Sequence, residues 1–433
     1  MSQVLQTLGL SEAALWTIGV GILTNASCAI LGCYLVLRRM SLLGDAISHS
    51  ILPGIALAYL LAGRNPLAMF AGAMAMGLAT TLLTQSLHAL GKVPEDASMG
   101  VVFTSLFAIG VILITNVAPR VDLDPGCVLY GLIEFVPLNT VQIAGLEVPR
   151  VLPTLAAALG LTLLLVVLFW KEFKIVSFDP ALATAMGISA LAFHYLLMAL
   201  VAGVTVAAFE AVGSVLVVAM LIVPAAAAHL LTDRLDWMMV WAVVIGAISA
   251  VAGYACDRLF HTGVAPMMAV ACGVQFAAAV VLAPRHGMLS KAWHNLALAV
   301  RIAGEDILAT LYRREEALAQ AGAADTTAEL AVSQATHGGL WAWLALPRLW
   351  RRGDVRLRGG LLTLTERGKE LAKSLIRSHR LWEAYLGEHF QLPLDHLHEP
   401  AERIEHFIGP ELQSQLAAEV QSRRDPHGRE IPQ

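Results

Sequence analysis

Long runs of apolar residues fill the first 285 positions of the chain, and charged residues fall mostly between these runs. A helix that crosses a bilayer needs about 20 predominantly apolar residues. About nine segments approach that length, although the sixth and seventh are separated only by a short turn near Glu210. The predicted spans are 13–37, 44–62, 66–87, 98–118, 151–170, 187–208, 211–231, 237–257 and 264–284.

The pattern changes after Arg285, where apolar residues recur at helical spacing between ordinary numbers of charges. Helices are predicted at 305–320, 328–335 and 341–352. Residues 354–365 alternate around Gly359-Gly360 and predict a hairpin. Three helices followed by a hairpin are typical of a winged helix. Further helices are predicted at 366–390 and 398–407.

The fold class is therefore an all-α polytopic membrane protein with about 8–9 transmembrane helices, followed by a small α+β winged-helix-like and helical domain. We predict a transmembrane domain at 1–290, a winged-helix-like domain at 300–390 and a helical segment at 391–425.

Composition and charge agree with this division. The chain is 57% hydrophobic and 14% charged, with a mean hydropathy of +0.67, whereas soluble domains carry about 25% charged residues. Only 10 of its 29 Lys and Arg residues precede residue 285. With the N-terminus outside, seven basic loop residues lie inside and four outside, as the positive-inside rule favours. We predict a multi-pass membrane protein with a cytoplasmic tail.

Asp45 and His49 are the most informative polar residues of the membrane part. They are four residues apart, so a helix brings them to one face. Ionisable groups are costly in lipid and usually line a water path or a site. An oxygen and a nitrogen ligand together suit divalent manganese, iron or zinc. The spacing alone also allows an interfacial helix start with Asp45 as its N-terminal charge.

Segment 178–187 (FDPALATAMG) lies in a predicted cytoplasmic loop. Asp179-Pro180 is a good helix start and Gly187 a good helix stop, although an ordinary interhelical loop would look similar. No P-loop sequence GxxxxGK[ST] occurs in the chain. We therefore expect no ATP site and no enzymatic activity here, with ATP hydrolysed by another subunit.

Several segments together resemble the ABC-3 permeases, which serve manganese, zinc and iron uptake. They are 44–54 (GDAISHSILPG) after the basic pair Arg38-Arg39, 95–100 (EDASMG), 212–226 (VGSVLVV leading to PAA) and 283–287 (APRHG). The resemblance covers nearly the whole first two-thirds. It implies metal ligation by Asp45 and His49, and it makes 178–187 the coupling helix that docks on an ATPase.

The same resemblance implies a location in the bacterial cytoplasmic (inner) membrane and the other components of an importer. These are an ABC ATPase subunit, a periplasmic or lipid-anchored metal-binding protein, and a second permease subunit, identical or different. Membrane lipid is the remaining expected partner.

Carboxylates and imidazoles are regularly spaced near the end of the chain. His379 and Glu383 are four apart, and His398, Glu402, Glu405 and His406 fall on one helical face. Such residues can converge on a metal from two helices, but a salt-bridged solvent face gives the same pattern.

The tail resembles metal-dependent regulators of the diphtheria toxin repressor and manganese transport regulator type. The matching segments are 362–368 (LTLTERG), 378–383 (SHRLWE) and 398–406 (HEPAERIEH). The resemblance makes the tail a metal-binding domain, with 391–425 as its helical metal-binding or dimerisation segment. It implies one metal site from His379, Glu383 and His398, and a second from Glu402, Glu405 and His406. His379 can serve either site, and Asp306 is a candidate further ligand. The ligands are oxygens and nitrogens, which favours manganese over softer ions.

The segment in the place of the DNA-reading helix is 338–347 (GGLWAWLALP). A DNA reader needs polar groups there, but this segment is apolar and, by its sequence, broken at Pro347. Nucleic acid is therefore not an expected partner. We predict a permease for manganese, with iron and zinc as alternatives, that carries a metal-sensing tail. The alternative is a membrane-tethered, metal-dependent transcriptional regulator.

Overall fold

The computed structural model describes residues 11–63, 65–117, 133–143, 145–323, 327–335, 339–390, 393, 396–420 and 422–432. The chain divides into two compact units, Met1–Ser290 and Lys291–Gln433, which we call the membrane unit and the tail.

The membrane unit consists almost entirely of helices. A short hairpin, β1 (Thr140–Ile143) and β2 (Leu146–Pro149), pairs antiparallel from Thr140↔Pro149 to Ile143↔Leu146. A 3₁₀ helix at Ile133–Leu138 precedes it. The helices are α1 (Glu12–Leu37), α2 (Leu43–Ser50), α3 (Leu52–Ala62), α4 (Pro66–Gly91), α5 (Glu95–Val117), α6 (Leu152–Leu168), α7 (Trp170–Phe178), α8 (Pro180–Ala185), α9 (Ala190–Leu231), α10 (Leu235–Phe260) and α11 (Val264–Leu282).

Seven helices among the described residues are long and apolar enough to span a membrane, with α2 and α3 together forming one of them. The count is eight if α6 and α7, which bend by 79° at their junction, form one span. This agrees with the predicted multi-pass fold. The predicted sixth and seventh spans correspond to the two parts of α9, which are separated by a kink at Gly213.

The break in α9 differs from the turn expected near Glu210. The backbone leaves helical geometry at Gly213, with φ 75° and ψ 169°. Glycine reaches positive φ without the penalty that a Cβ imposes. A straight helix of this length would be about 63 Å long, twice the thickness of a hydrocarbon core, so the kink divides an element that exceeds one straight span.

Helices α1 and α9 form the centre of the membrane unit. Their apolar windows are 78% and 61% buried, whereas those of α4, α5 and α11 are 28%, 22% and 22% buried. At Gly32 the α1 backbone meets the α9 backbone so closely that an added Cβ would lie 1.7 Å from the carbonyl oxygen of Leu221. Small residues permit this approach in lipid.

The tail contains a small sheet and helices around it. The strands are β3 (Leu330–Ala331), β4 (Val355–Arg358) and β5 (Leu361–Leu364), in the antiparallel order β3-β5-β4. The helices are α12 (Met288–Gln320), α13 (Val332–Ala335), α14 (Leu340–Arg352), α15 (Glu366–His389), α16 (His398–Ile404) and α17 (Pro410–Glu419), with a 3₁₀ turn at Glu405–Phe407.

Three expectations for the tail need correction. The helix predicted at 328–335 is a strand followed by the short α13, because Leu330 pairs with Leu362 of β5. Helix α14 continues through Pro347 instead of breaking there. Residues 398–407 are α16 followed by a 3₁₀ turn instead of one helix. The hairpin expected at 354–365 is confirmed by the pairing of β4 with β5.

Candidate metal sites

Asp45 and His49 occupy one face of α2. Oδ1 of Asp45 lies 3.4 Å from Nε2 of His49, and the side chains are 43% and 31% exposed. The ring of His49 packs edge-on against Phe107 of α5 at 5.5 Å and lies 6.2 Å from Phe103. Two ligands four apart on a helix provide part of a coordination shell, and their partial exposure leaves them accessible to an ion.

Several contacts fix the orientation of α2. The hydroxyl of Thr80 in α4 donates a 2.6 Å hydrogen bond to the hydroxyl of Ser50. Gly44 faces α9, where an added Cβ would lie 2.4 Å from Cδ2 of Leu221. Pro53 lies in the first turn of α3, where its missing N–H is tolerated. The pair is therefore carried by a short helix packed between α4 and α9.

The segment predicted to couple to an ATPase contains α8. Asp179 is its N-cap, and its carboxylate accepts a 2.9 Å hydrogen bond from the Leu182 N–H. The chain leaves the helix through Gly187 at φ 82°. Phe178, Leu182 and Met186 are 57%, 52% and 60% exposed, so this segment presents an apolar surface.

In the tail, His379, Glu383 and His398 form a tight group, which we call the His379 cluster. Nε2 of His379 lies 3.0 Å from Oε1 of Glu383 and 3.1 Å from Nδ1 of His398, which is itself 2.9 Å from the same Glu383 oxygen. His379 and Glu383 are one turn apart on α15 and buried, and His398 begins α16.

These distances fit one face of an octahedral metal site. With metal–ligand bonds of about 2.1 Å, adjacent ligand atoms lie about 3.0 Å apart in an octahedron and about 3.4 Å apart in a tetrahedron. The three edges of the His379 cluster are 3.0, 3.1 and 2.9 Å. Two imidazoles and one carboxylate suit a divalent transition metal.

A second group comprises Asp306, Glu405 and His406, which we call the His406 cluster. Nε2 of His406 lies 3.2 Å from Oδ1 of Asp306 and 3.9 Å from Oε1 of Glu405. Nδ1 of His406 lies 2.7 Å from Oε2 of Glu305. Helix α12 supplies Glu305 and Asp306, and the 3₁₀ turn supplies Glu405 and His406.

Glu405 connects the two clusters. Its Oε2 lies 2.5 Å from Nδ1 of His379, while its Oε1 faces His406. If Nε2 of His379 binds a metal, then its Nδ1–H donates to Glu405. A carboxylate behind a ligating histidine fixes the imidazole and raises its basicity. Occupation of one cluster is therefore linked to the charge of the other.

The charges in the clusters perturb three pKa values. Burial favours the neutral form of Glu383, but hydrogen bonds from His379 and His398 outweigh it and lower the Glu383 pKa to about 2. Burial likewise disfavours protonated His406, yet bonds to Asp306 and Glu305 raise its pKa to about 9. At His379, burial lowers the pKa, but hydrogen bonds to Glu383 and Glu405 and their negative charges outweigh this effect and raise it. Protonated imidazoles thus supply positive charge beside the carboxylates of both clusters.

Glu402 does not join either cluster; its side chain is exposed on α16. The expected single helical face fails because α16 ends at Ile404 and the 3₁₀ turn changes the direction of Glu405 and His406. His398 consequently faces one cluster while Glu405 and His406 form the other.

Two nearby residues were missed from the sequence. Nε2 of His427 lies 3.9 Å from Oε1 of Glu383, and Glu305 contacts His406. His427 lies in a turn 44 residues after Glu383 in the chain, which gives no periodic signal. Glu305 directly precedes Asp306, and only the packing of α12 shows that both carboxylates reach His406.

Comparison with known proteins agrees with both parts of the chain. The model of the ABC 3 transport family matches residues 11–283. A second model, the iron dependent repressor, metal binding and dimerisation domain, matches residues 365–433, which include α15 and both groups of candidate ligands except Asp306.

Individual relatives agree as well. The chain is 47% identical to the manganese transport system membrane protein MntD of Bacillus subtilis over 67% of this chain and 98% of that protein. It is 35% identical to the zinc transport system membrane protein TroD of Treponema pallidum over 82% of this chain and 96% of that protein. Among solved structures, PsaBC from Streptococcus pneumoniae in complex with Fab matches with a TM-score of 0.56 and 30% identity, covering 66% of this chain and 97% of that chain. The chain therefore belongs to the ABC-3 transport family of permeases and carries a C-terminal domain of the iron-dependent repressor type.

Proposed function

We propose that this chain is the membrane-spanning subunit of an ABC importer for a divalent metal, with manganese as its cargo and iron and zinc as the alternatives. The observation that carries the proposal is the Asp45–His49 pair on α2, with ligand atoms 3.4 Å apart, within an ABC-3 permease. MntD is named for manganese transport and TroD for zinc transport. An oxygen and a nitrogen ligand accept either ion.

The proposal includes the other components of the importer. A separate ABC ATPase hydrolyses ATP and docks on the apolar surface of α8. A periplasmic or lipid-anchored protein delivers the ion, and a second permease subunit completes the pathway. In this arrangement the N-terminus is outside and the tail lies in the cytoplasm.

Transport itself is tested with Asp45→Ala and His49→Ala in the complete complex reconstituted in vesicles. We expect each variant to abolish uptake of ⁵⁴Mn²⁺, because each removes one ligand of the ion. His88→Ala is the matched control, since His88 is exposed at the end of α4. Normal uptake by both variants, with the complex assembled, would exclude the pair from the transport path.

Coupling is tested by removing the cap of α8. Asp179→Ala deletes a cap worth about 1 kcal/mol, and a six-residue helix has little other stability of its own. We expect ATP hydrolysis to continue while uptake per ATP falls. Ser189→Ala is the matched control. It removes the N-cap of α9, where the Ser189 hydroxyl accepts a hydrogen bond from the Ala192 N–H. Equal losses in the two variants would contradict a special role of α8.

We also propose that the tail senses cytoplasmic metal and restrains transport when that metal is abundant. Its winged-helix-like part is assigned to 300–390 and its metal-binding segment to 391–425. Support comes from the two clusters and from the repressor-type domain. The regulatory ion would be held by His379, Glu383 and His398 in one cluster, and by Asp306, Glu405 and His406 in the other.

Feedback is measured as uptake into vesicles preloaded with Mn²⁺. Glu405→Ala and His406→Ala should relieve inhibition by internal metal, because both lie in the His406 cluster and Glu405 also supports His379. Glu402→Ala is the matched control, as it removes an exposed carboxylate three residues before Glu405. Unchanged inhibition in the first two variants would overturn the proposal. Relief by Glu402→Ala would instead favour the ligand set expected from the sequence.

The three-stranded sheet and α14 favour a second candidate, a membrane-tethered transcriptional regulator, because this arrangement is winged-helix-like. The test is retention of specific DNA fragments by the full chain with and without Mn²⁺. Metal-dependent, sequence-specific retention would favour this candidate over feedback on transport.

A further inference from the structure

Helix α14 has apolar residues on two opposite faces. Its inner face contributes Ala342, Ala345 and Leu349 to the core of the tail, where they are 3%, 1% and 7% exposed. An ordinary surface helix is polar on the opposite side, but the outer face of α14 carries Leu340, Leu344 and two tryptophans.

The outer face, which we define as Leu340, Trp343, Leu344, Pro347 and Trp350, is open to solvent. Leu340, Trp343 and Trp350 are 63%, 60% and 62% exposed, and Leu344 is 37% exposed. These positions follow the helical repeat, so they form one continuous stripe. Exposed apolar stripes of this kind mark surfaces that bind a partner or a membrane.

Positive charge accompanies this stripe. By the helical repeat, Arg351 lies within the stripe, whereas Arg348 and Arg352 flank it and also line a cavity of the tail. All three are exposed, α14 contains no acidic residue, and these arginines have no hydrogen bond or ion pair within the described parts of the chain. Guanidinium groups stay protonated at physiological pH. The surface therefore combines tryptophan, leucine and unpaired positive charge.

This combination fits an anionic lipid surface. Tryptophan is enriched where apolar and aqueous phases meet. Amphipathic helices with large apolar side chains and basic residues lie in the plane of that interface. The chain is anchored in a bilayer and passes from α11 to α12 through residues 283–287, which raises the local concentration of lipid around the tail. A DNA surface would match the arginines but not the exposed leucines.

We propose that the outer face of α14 docks on the surface of an anionic bilayer, with its tryptophans at the headgroup level and Arg348 and Arg351 on lipid phosphates. The helix that would read DNA in a soluble regulator serves here as a membrane contact of the tail. The proposal requires only that the chain is embedded in a membrane and is independent of the metal that it carries.

The test uses the full chain, one copy per nanodisc, and quenching of tryptophan emission by brominated acyl chains. Subtracting the emission of Trp343→Phe/Trp350→Phe from that of the wild type isolates the two outer tryptophans from those in the membrane unit. We expect this difference emission to be quenched in discs containing phosphatidylglycerol. The emission removed by Trp382→Phe, in the partly buried position on α15, should not be quenched.

Arg348→Gln/Arg351→Gln tests the electrostatic part. Each basic residue near an anionic surface strengthens binding about five-fold, so the double variant should weaken docking about thirty-fold. The thermal unfolding midpoint of every variant controls for loss of fold. Unquenched difference emission in phosphatidylglycerol discs would overturn the proposal. A shift of that unquenched emission to the blue when a second copy of the chain is added would assign the outer face to contact between copies instead. Equal quenching in discs of phosphatidylcholine alone would overturn the role of the arginines. Loss of metal uptake leaves these readouts unchanged, so failure of the transport proposal remains distinguishable.

Discussion

Binding of Mn²⁺ to the His406 cluster is expected to release a proton. A histidine ligates a metal only in its neutral form, but Asp306 and Glu305 raise the His406 pKa to about 9 against the effect of burial. At neutral pH the metal must therefore displace a proton. Metal affinity should rise with pH up to about 9 and level off above it.

The magnitude follows from the distance between the working pH and this pKa. At pH 7.5 the proton costs about 2 kcal/mol of metal binding, or about thirty-fold in Kd, relative to pH above 9. The stability of the metal-free tail changes with pH in the opposite direction to metal affinity. Because the folded pKa exceeds the ordinary value of 6.5, the contribution of His406 is fully present below pH 6.5 and is lost as pH rises through about 9. Its upper limit is about 3 kcal/mol, since the partner Asp306 is 54% exposed.

The assay is titration calorimetry of the full chain with Mn²⁺ at several pH values between 6.5 and 9, in buffers of different ionisation enthalpy. The dependence of the observed heat on the buffer gives the number of protons released. His406→Ala should lower the number of protons released, because only the contribution of the His379 cluster then remains, and Glu402→Gln, at an exposed carboxylate, should leave that number unchanged. Binding without proton release, or affinity that does not vary across this range in the wild type, would refute the reasoning.

Two further predictions concern packing and ion pairs. Gly32→Ala should destabilise the membrane unit by about 1–3 kcal/mol, because the added Cβ would lie 1.7 Å from a carbonyl oxygen of α9. Gly19→Ala is the control, since no atom lies within 4 Å of its added Cβ. Equal thermal unfolding midpoints of the two variants in detergent would contradict the close approach. Arg380→Gln should destabilise the tail by about 3 kcal/mol, because Arg380 is 2% exposed and bonds to both oxygens of Glu316. Arg403→Gln removes an ion pair that is 79% exposed at the arginine and should hardly change the free energy of unfolding. Comparable losses of unfolding free energy in the two variants, measured by denaturant titration, would argue against the buried pair.

Spans could be predicted from the sequence because hydropathy reports the cost of placing each segment in lipid. The predicted boundaries of α1, α10 and α11 are close to those observed. The shape of α9 was not predictable in the same way. Hydropathy does not distinguish a turn at Glu210 from a kink at Gly213, because it depends on which residues are present and not on their backbone torsion angles.

In the tail, the spacing of His379 and Glu383 was sufficient to bring them onto one turn of α15, because the helical repeat fixes neighbours four residues apart. The same argument failed for 398–407. A change from α-helix to 3₁₀ turn after Ile404 rotates Glu405 and His406 away from Glu402. Helical periodicity predicts which residues share a face only within one uninterrupted helix.

By itself, the sequence determined that the chain is embedded in lipid, that a charged tail follows residue 285, and which residue types are available to bind a divalent metal. Those properties depend on local composition and on spacing within one helix. Only the tertiary structure decided that Glu405 joins two clusters, that Glu305 and His427 approach them, that the candidate ligand Asp306 reaches His406, and that the outer face of α14 is left exposed. The contacts of His406 with Asp306 and Glu305 join residues 100 and 101 positions apart. Their geometry is set by how helices pack and not by the order of residues along any one helix.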